Sequence, residues 1–301
     1  MPLRLPDNLP AIELLKKENI FIAGASSGSD RGLHPLRIVV LNLMPLKITT
    51  ETDIARLLSN SPLQIEIDLM KIKNHTSKNT SAEHMEAFYK DFDALKDRFY
   101  DGMIITGAPV EKLDFHEVTY WDELIRIFDW TRTNVNSTFF ICWAAQAALN
   151  HFYGIPKYDL PSKKFGIFTH TMNEPTLPIF RGFDDDFFAP HSRHTEIHSD
   201  DILQVPELTL LSESEDAGVY MVMAREGREL FITGHSEYAP LALHAEYIRD
   251  INKGLPITVP VNYYPDDDVS KPPIVRWRSH ANLLFTNWLN YYVNRKAPFK
   301  P

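Results

Sequence analysis

A single cysteine in 301 residues rules out an internal disulfide and leaves no second thiol for a cysteine-based zinc cage. Positive charge is also short: 31 lysines and arginines stand against 40 acids, a formal net charge of -9. A general nucleic-acid binder needs a basic face that displaces counterions from phosphates, so nucleic acid is not an expected partner. No apolar run is long enough to cross a bilayer and nothing resembles a cleavable signal peptide. The expected location is therefore cytoplasmic, with no membrane partner. Phosphate-loop patterns are incomplete too. Gly24-Ala25-Ser26-Ser27-Gly28-Ser29 follows Ile20-Phe21-Ile22-Ala23, yet it completes neither a Walker pattern nor G-x-G-x-x-G. There is no internal repeat and no linker that demands a second independent domain.

What the chain does have is a strand, a sharp turn and a helix around its one thiol. Phe139-Phe140-Ile141 is an apolar, strand-like run, and Trp143-Ala144-Ala145-Gln146-Ala147-Ala148-Leu149 follows as an alanine-rich helical pattern. Cys142 sits at the junction, where the free N–H groups and positive dipole end of a helix favour a thiolate. Locally, two readings stand: a small buried hydrophobe, or a reactive nucleophile at the carboxyl end of a sheet, where open α/β folds place their chemistry. The second gains support from Glu229-Leu230-Phe231-Ile232-Thr233-Gly234, another buried strand, which ends in His235-Ser236-Glu237-Tyr238. Residues two apart in extended chain point the same way, so His235 and Glu237 can reach one side together. An imidazole beside a thiol takes its proton, and a carboxylate fixes the imidazole's tautomer and supports its charge.

Residues 1–35 read as an N-terminal arm with a short helix near Ala11–Asn19. The remaining 36–301 read as one domain built on a doubly wound, mostly parallel α/β sheet flanked by helices. Leu36–Leu43, Leu63–Met70 and Gly102–Thr106 are strands, Thr50–Ser59 and Glu83–Tyr100 helices, with a polar loop over Asn74–Ala82. The third strand ends in Gly107-Ala108-Pro109-Val110-Glu111, where Gly107 or Ala108 can offer an N–H to a developing oxyanion and Pro109 cannot. Trp121–Thr131, Pro240–Asn252 and Trp277–Val293 are further helices. Lys157 to Asp200 reads as a substrate-facing loop. Its histidines His191, His194 and His198 lack a metal-binding spacing, so no metal is expected. Glu246 and Arg249 lie three apart on one helical face, as an exposed ion pair or as site residues.

Four motifs together, Asn42-Leu43-Met44-Pro45-Leu46-Lys47, Thr106 to Glu111, Cys142 to Ala147 and Gly234 to Tyr238, resemble the homoserine O-acyltransferases of methionine biosynthesis over nearly the whole chain. The resemblance implies a class I glutamine-amidotransferase-like (flavodoxin-like) fold, a homodimer, and a cysteine acyl-enzyme. It makes Cys142 the acylated nucleophile, His235 the general base and acid, and Glu237 its orienting partner. Lys163, Ser192 and Arg249 match substrate-contacting positions, and Lys47 with the backbone N–H of Trp143 match oxyanion stabilisers. A homoserine zwitterion needs an anion for its ammonium and an arginine fork for its carboxylate, which gives Glu246 and Arg249 a joint purpose. The resemblance also makes position 111 the acyl selector, glycine in succinyltransferases and glutamate in acetyltransferases. Glu111 therefore points to acetyl-CoA as co-substrate, with no cofactor. The alternatives are homoserine O-succinyl transfer, an amidotransferase-like cysteine hydrolase, and a non-enzymatic binding protein on the same fold. Amidotransferase elbows usually read Gly-x-Cys-x-Gly, where this chain has Phe140 and Ala144.

Overall fold

Successive residues of a strand face opposite ways, and here that alternation divides nearly continuous apolar runs between two cores. Ile38, Val40, Ile104, Phe139, Ile141 and Ile232 belong to one; Val39, Leu41, Met103, Ile105, Phe140 and Phe231 belong to the other. The computed structural model describes residues 3–24, 35–73, 75 and 79–294. Its elements begin β1 (Leu3–Leu5), α1 (Pro10–Lys17), β2 (Ile22–Gly24), β3 (Leu36–Leu41), α2 (Lys47–Leu58), β4 (Ile65–Lys71), α3 (Ala82–Phe88), β5 (Tyr89–Asp91), α4 (Phe92–Leu95) and β6 (Tyr100–Ile105). They continue α5 (Trp121–Asn134), β7 (Val135–Ile141), α6 (Trp143–Tyr153), β8 (Tyr158–Met172), β9 (Asp186–Glu196), α7 (Ser199–Leu203), β10 (Leu208–Ser214), β11 (Gly218–Ala224), β12 (Glu229–Ile232), α8 (Ala242–Asn252) and α9 (Arg278–Trp288).

The strands form one sheet in the order β2-β1-β4-β3-β6-β7-β12-β11-β10-β8-β9, with β5 alongside β4. From β2 to β12 every pairing is parallel. From β12 to β9 every pairing is antiparallel. Helices α2 and α9 bury Ile54, Leu58, Phe285 and Trp288 in the first core, while α5 and α6 bury Leu124, Phe128, Ala148 and Leu149 in the second. The expected α/β sandwich is present, and its parallel half brings the carboxyl ends of β3, β6, β7 and β12 to one rim. Among the described residues no helix is long and apolar enough to cross a membrane.

Three expectations need correction. The 1–35 segment is more than an arm: β1 pairs with both β2 and β4, and Leu3, Leu5, Leu9 and Leu15 are buried in the first core. The Gly-Ser stretch runs from Gly24 into residues 25–34, which lie outside the described residues. The long helix expected over Glu83–Tyr100 is broken, because Tyr89 is drawn inward by hydrogen bonds with Glu51 (2.5 Å) and Asn42 (2.9 Å) and its segment pairs with β4. Farther on, Trp130 and Asn134 bond the carbonyls of Lys96 and Arg98 that a continuing helix would use. Third, the substrate-facing loop over Lys157–Asp200 is largely the β8–β9 hairpin. Its inward positions on β9 include His191, Arg193 and Thr195, which bond to one another's neighbourhood instead of to water.

If β1 is integral to the core, Leu5→Ala should lower the unfolding free energy by about 2–5 kcal/mol in urea denaturation. An unchanged transition midpoint would mean the segment lies outside the cooperative unit.

Candidate active site

Strands β7 and β12 are parallel neighbours with Ile141 opposite Ile232, so the residues that follow emerge side by side. Cys142 has φ 54° and ψ -118°, a left-handed backbone rarely adopted by a side-chain-bearing residue and costing roughly 1–3 kcal/mol. That bend ends the strand and starts α6 one residue later. As the first residue of α6, Trp143 has a backbone N–H with no acceptor inside its own helix, at the positive end of the helix dipole. Gly107, at the end of β6, completes the convergence. A Cβ placed there would lie 3.2 Å from the Cys142 Cβ, a tight contact, and 3.7 Å from the His235 Cε1, an ordinary one, so glycine lets the three strand ends approach without displacing Cys142.

The His235 imidazole lies near enough to Cys142 for the two to interact electrostatically, and its Nδ1 lies 2.7 Å from the Glu237 carboxylate. Nδ1 is thereby committed, leaving Nε2 to exchange a proton with sulfur. Tyr238 stacks on the ring at 4.2 Å, and the His235 N–H donates to the Pro190 carbonyl at 2.8 Å. Burial opposes charging of this imidazole, but the negative charge and hydrogen bonds of Cys142 and Glu237 outweigh it. The proton affinity of His235 is raised well above that of an ordinary histidine.

Cys142 opens onto a cavity of about 850 Å³. Lys163, Ser192, Glu246 and Arg249 all line it, along with Glu111. Glu246 is the hub: it accepts the Ser192 hydroxyl at 2.5 Å, the Tyr238 hydroxyl at 2.9 Å and the Lys163 ammonium at 3.1 Å. Burial works to raise its carboxyl, yet Lys163 and Ser192 hold it below the usual range. Arg249 directs its Nε to Asp250 at 2.7 Å, not to Glu246, and its side chain is 49% exposed, so the fork stays accessible to a carboxylate. Glu111 accepts the His194 N–H at 3.0 Å, and burial pushes its carboxyl above the usual range.

The side chain of Lys47 is not brought to this cavity, nor is that of Trp143, which packs in the second core, while Glu237 stands behind His235 without lining it. Lys47 starts α2 and turns back to the Asn42 carbonyl at 2.5 Å, beside a separate small cavity that includes Lys71 and Tyr120. Burial lowers it to about 8, with Glu51 opposing. The three nearby histidines are dispersed. His191 faces inward against His170, His194 lines the cavity, and His198 stacks on Tyr158. Among the described residues no group of three or more His, Cys, Asp or Glu side chains could hold a metal ion. Sequence reasoning missed Asp250, which also binds Lys163 at 3.4 Å. Its signal was present: it lies four residues past Glu246, on the same helical face.

A sequence model of the family described as homoserine O-succinyltransferase matches residues 2–299. The chain belongs to that family. A protein of Parabacteroides distasonis named homoserine O-acetyltransferase is 68% identical over 300 residues, covering 100% of this chain and 97% of that relative. One of Brevibacillus brevis with the same name is 59% identical, covering 99% and 98%. Among solved structures, a glutamine amidotransferase from Thermotoga maritima superposes with a TM-score of 0.57 at 13% identity, covering 87% of this chain and 100% of its own. A glutamine amidotransferase from Methylobacillus flagellatus gives 0.54 at 10% identity, covering 90% and 99%. These homoserine O-acyltransferases thus share the class I glutamine-amidotransferase fold.

In this acyltransferase, removing the Glu237 charge should weaken proton binding at His235. In Glu237→Gln, NMR of ring-labelled histidine should therefore show His235 losing its proton about 1 to 3 pH units lower than in the unmutated chain. Titration at the same pH in both would show that the carboxylate does not sustain the imidazolium.

Proposed function

We propose that this chain transfers the acetyl group of acetyl-CoA to the γ-hydroxyl of L-homoserine, giving O-acetyl-L-homoserine for methionine biosynthesis. The observation that carries the reading is the row of Cys142, His235 and Glu237 opening onto a bank where Glu246 and Arg249 offer an anion and a cation a few residues apart. In the first half-reaction the Cys142 sulfur, its proton held on His235, attacks the thioester carbonyl. The carbon–sulfur bond to CoA breaks, and CoA leaves with the proton from His235. The enzyme then carries an acetyl thioester. In the second half-reaction His235 takes the γ-hydroxyl proton of homoserine as that oxygen attacks, and Cys142 is released.

The backbone N–H of Trp143, at the start of α6, would receive the tetrahedral oxyanion. Glu246 and the Ser192 hydroxyl would receive the substrate ammonium, and the Arg249 fork its carboxylate, with Lys163 fixing Glu246 from behind. The reaction as written requires no cofactor beyond acetyl-CoA as co-substrate. A cytoplasmic location and a homodimer accompany the proposal, the latter measurable by sedimentation. Intact-mass measurement after incubation with acetyl-CoA alone should detect one acetyl adduct on Cys142. Its absence in enzyme that turns over would reject the covalent route.

Acetyl over succinyl transfer rests on Glu111, whose carboxylate lies in the cavity where the far end of a longer acyl chain would extend. A charged succinyl end meets a like charge there. Relatives named homoserine O-acetyltransferase at 67% and 68% identity support this choice within a family described by the succinyl reaction. The expected result is homoserine-dependent CoA release with acetyl-CoA at least about tenfold faster than with succinyl-CoA, and a shift toward succinyl-CoA in Glu111→Gly. Equal use of both thioesters by the unmutated chain would overturn the acetyl assignment.

A further inference from the structure

The cavity over Cys142 has two banks of different chemistry. One carries the charged groups described above. The other is made of Met44, Pro45, Leu46, Pro109, Val110 and Leu113. A small amino-acid zwitterion needs the first bank and gains little from the second. Around the mouth, Leu46, Leu113 and Leu255 come from three separate segments and are 57%, 42% and 51% exposed. Single exposed leucines are ordinary, but three around one opening form a patch that suits an apolar ligand segment.

Two cations stand at the same opening. Lys112 and Lys253 line it and are exposed, and neither has an ion-pair partner among the described residues, whereas Lys163 and Arg249 are each held by a carboxylate. The segment bearing Lys112 is pre-formed. The Leu113 N–H donates to the Val110 carbonyl at 3.0 Å, and the Lys157 ammonium donates to the carbonyls of Glu111 at 2.5 Å and Leu113 at 2.8 Å. With Glu111 pinned inward by the His194 N–H, the turn holds Lys112 at the outside and the acyl-facing carboxylate at the inside.

Cys142 is only 6% exposed, so a bulky donor must thread a thin arm down to it and leave its charged end outside. A coenzyme A thioester has that shape: a narrow, largely neutral pantetheine arm and a nucleotide bearing several phosphate charges. We propose that the acyl-CoA donor crosses this lip, its pantetheine arm on Leu46, Leu113 and Leu255 and its phosphates on Lys112 and Lys253. The site rests on the acetyl-transfer reading above. Homoserine and the donor then meet different groups around one cavity.

Steady-state kinetics of Lys112→Glu/Lys253→Glu test the site, with acetyl-CoA compared against S-acetyl-N-acetylcysteamine, a thioester without phosphates. The expected result is a rise of about tenfold or more in KM for acetyl-CoA, with KM for homoserine and for the truncated donor changed less than about twofold. Added salt should likewise raise KM for acetyl-CoA in the unmutated chain and leave the truncated donor unaffected. A KM for acetyl-CoA unchanged by the double substitution, or raised equally for both donors, overturns the site while leaving acetyl transfer intact. An unmutated chain that turns over neither thioester in the presence of homoserine overturns both.

Discussion

The backbone N–H of Cys142 donates to the Ile232 carbonyl at 2.6 Å, one step beyond the last register pair of β7 and β12. That bond ties the strand end that carries Cys142 to the strand that delivers His235, and the rest of the site depends on it. Parallel pairing gives both strands the same direction, so both side chains emerge at one rim. A register slip of one residue would send the Cys142 side chain toward the opposite face. The backbone strain at Cys142 is sustained by the same arrangement. Buried apolar residues on both faces of β7 and a whole helix packed into the second core leave the chain no cheaper path.

A layer of buried polar groups stands behind this rim and fixes the loop that carries His235. His170 and His191 share a 3.0 Å contact between ring nitrogens, and burial, with Arg193 as a further contributor at His191, holds both well below ordinary histidine protonation. They are neutral. Arg193, 1% exposed, carries the charge and donates to the Thr195 carbonyl at 2.8 Å and to that of Ala217. Thr195 in turn bonds Gln146, one helical turn after the nucleophile, at 2.8 Å. On the other side, the Tyr220 and Ser236 hydroxyls meet at 2.5 Å, and Gly234 lies so close to Tyr220 and the Pro190 carbonyl that a Cβ would come within 3.0 Å of both. Bonds among buried polar groups are costly to break, so this network, bonded apart from the His170 Nδ1, holds the segments carrying Cys142 and His235 in place.

Local sequence carried the parallel half of the fold well, because continuous runs such as Ile38 to Leu41 and Phe139 to Ile141 belong only in a sheet covered on both sides. Cys142 between a strand and an alanine-rich helix, and His235 two residues before Glu237, were equally readable. The β8–β9 hairpin was not. Its inward face depends on His170, His191, Arg193 and Thr195, residue types that any hydrophobic pattern assigns to solvent, and only their mutual bonding makes them interior. The break at Tyr89 escaped for a similar reason: nothing near it in sequence reveals that Glu51 and Asn42 wait on another element. Lys47 shows the converse, since a motif position carries no information about which way a long side chain turns.

The two halves of the sheet divide the work. Strand ends in the parallel half hold the sulfur, imidazole and carboxylate, and the fold is shared with glutamine amidotransferases at 10% to 13% identity. In the proposed reaction recognition falls to β8, β9, α8 and the turn after β6, which can change without moving Cys142. Glu111 illustrates the consequence. Burial destabilises its charge, while the His194 N–H and the positive charges of His235, Lys163 and Arg193 favour it. Those same cations would suit the free carboxylate of a four-carbon acyl group. In the proposed reaction the protein's own carboxylate therefore occupies the electrostatic seat that a succinyl chain would need, and a glycine there would vacate it. Selection between acyl donors then follows from which carboxylate neutralises a fixed set of positive groups, with no rearrangement of the chemistry beneath.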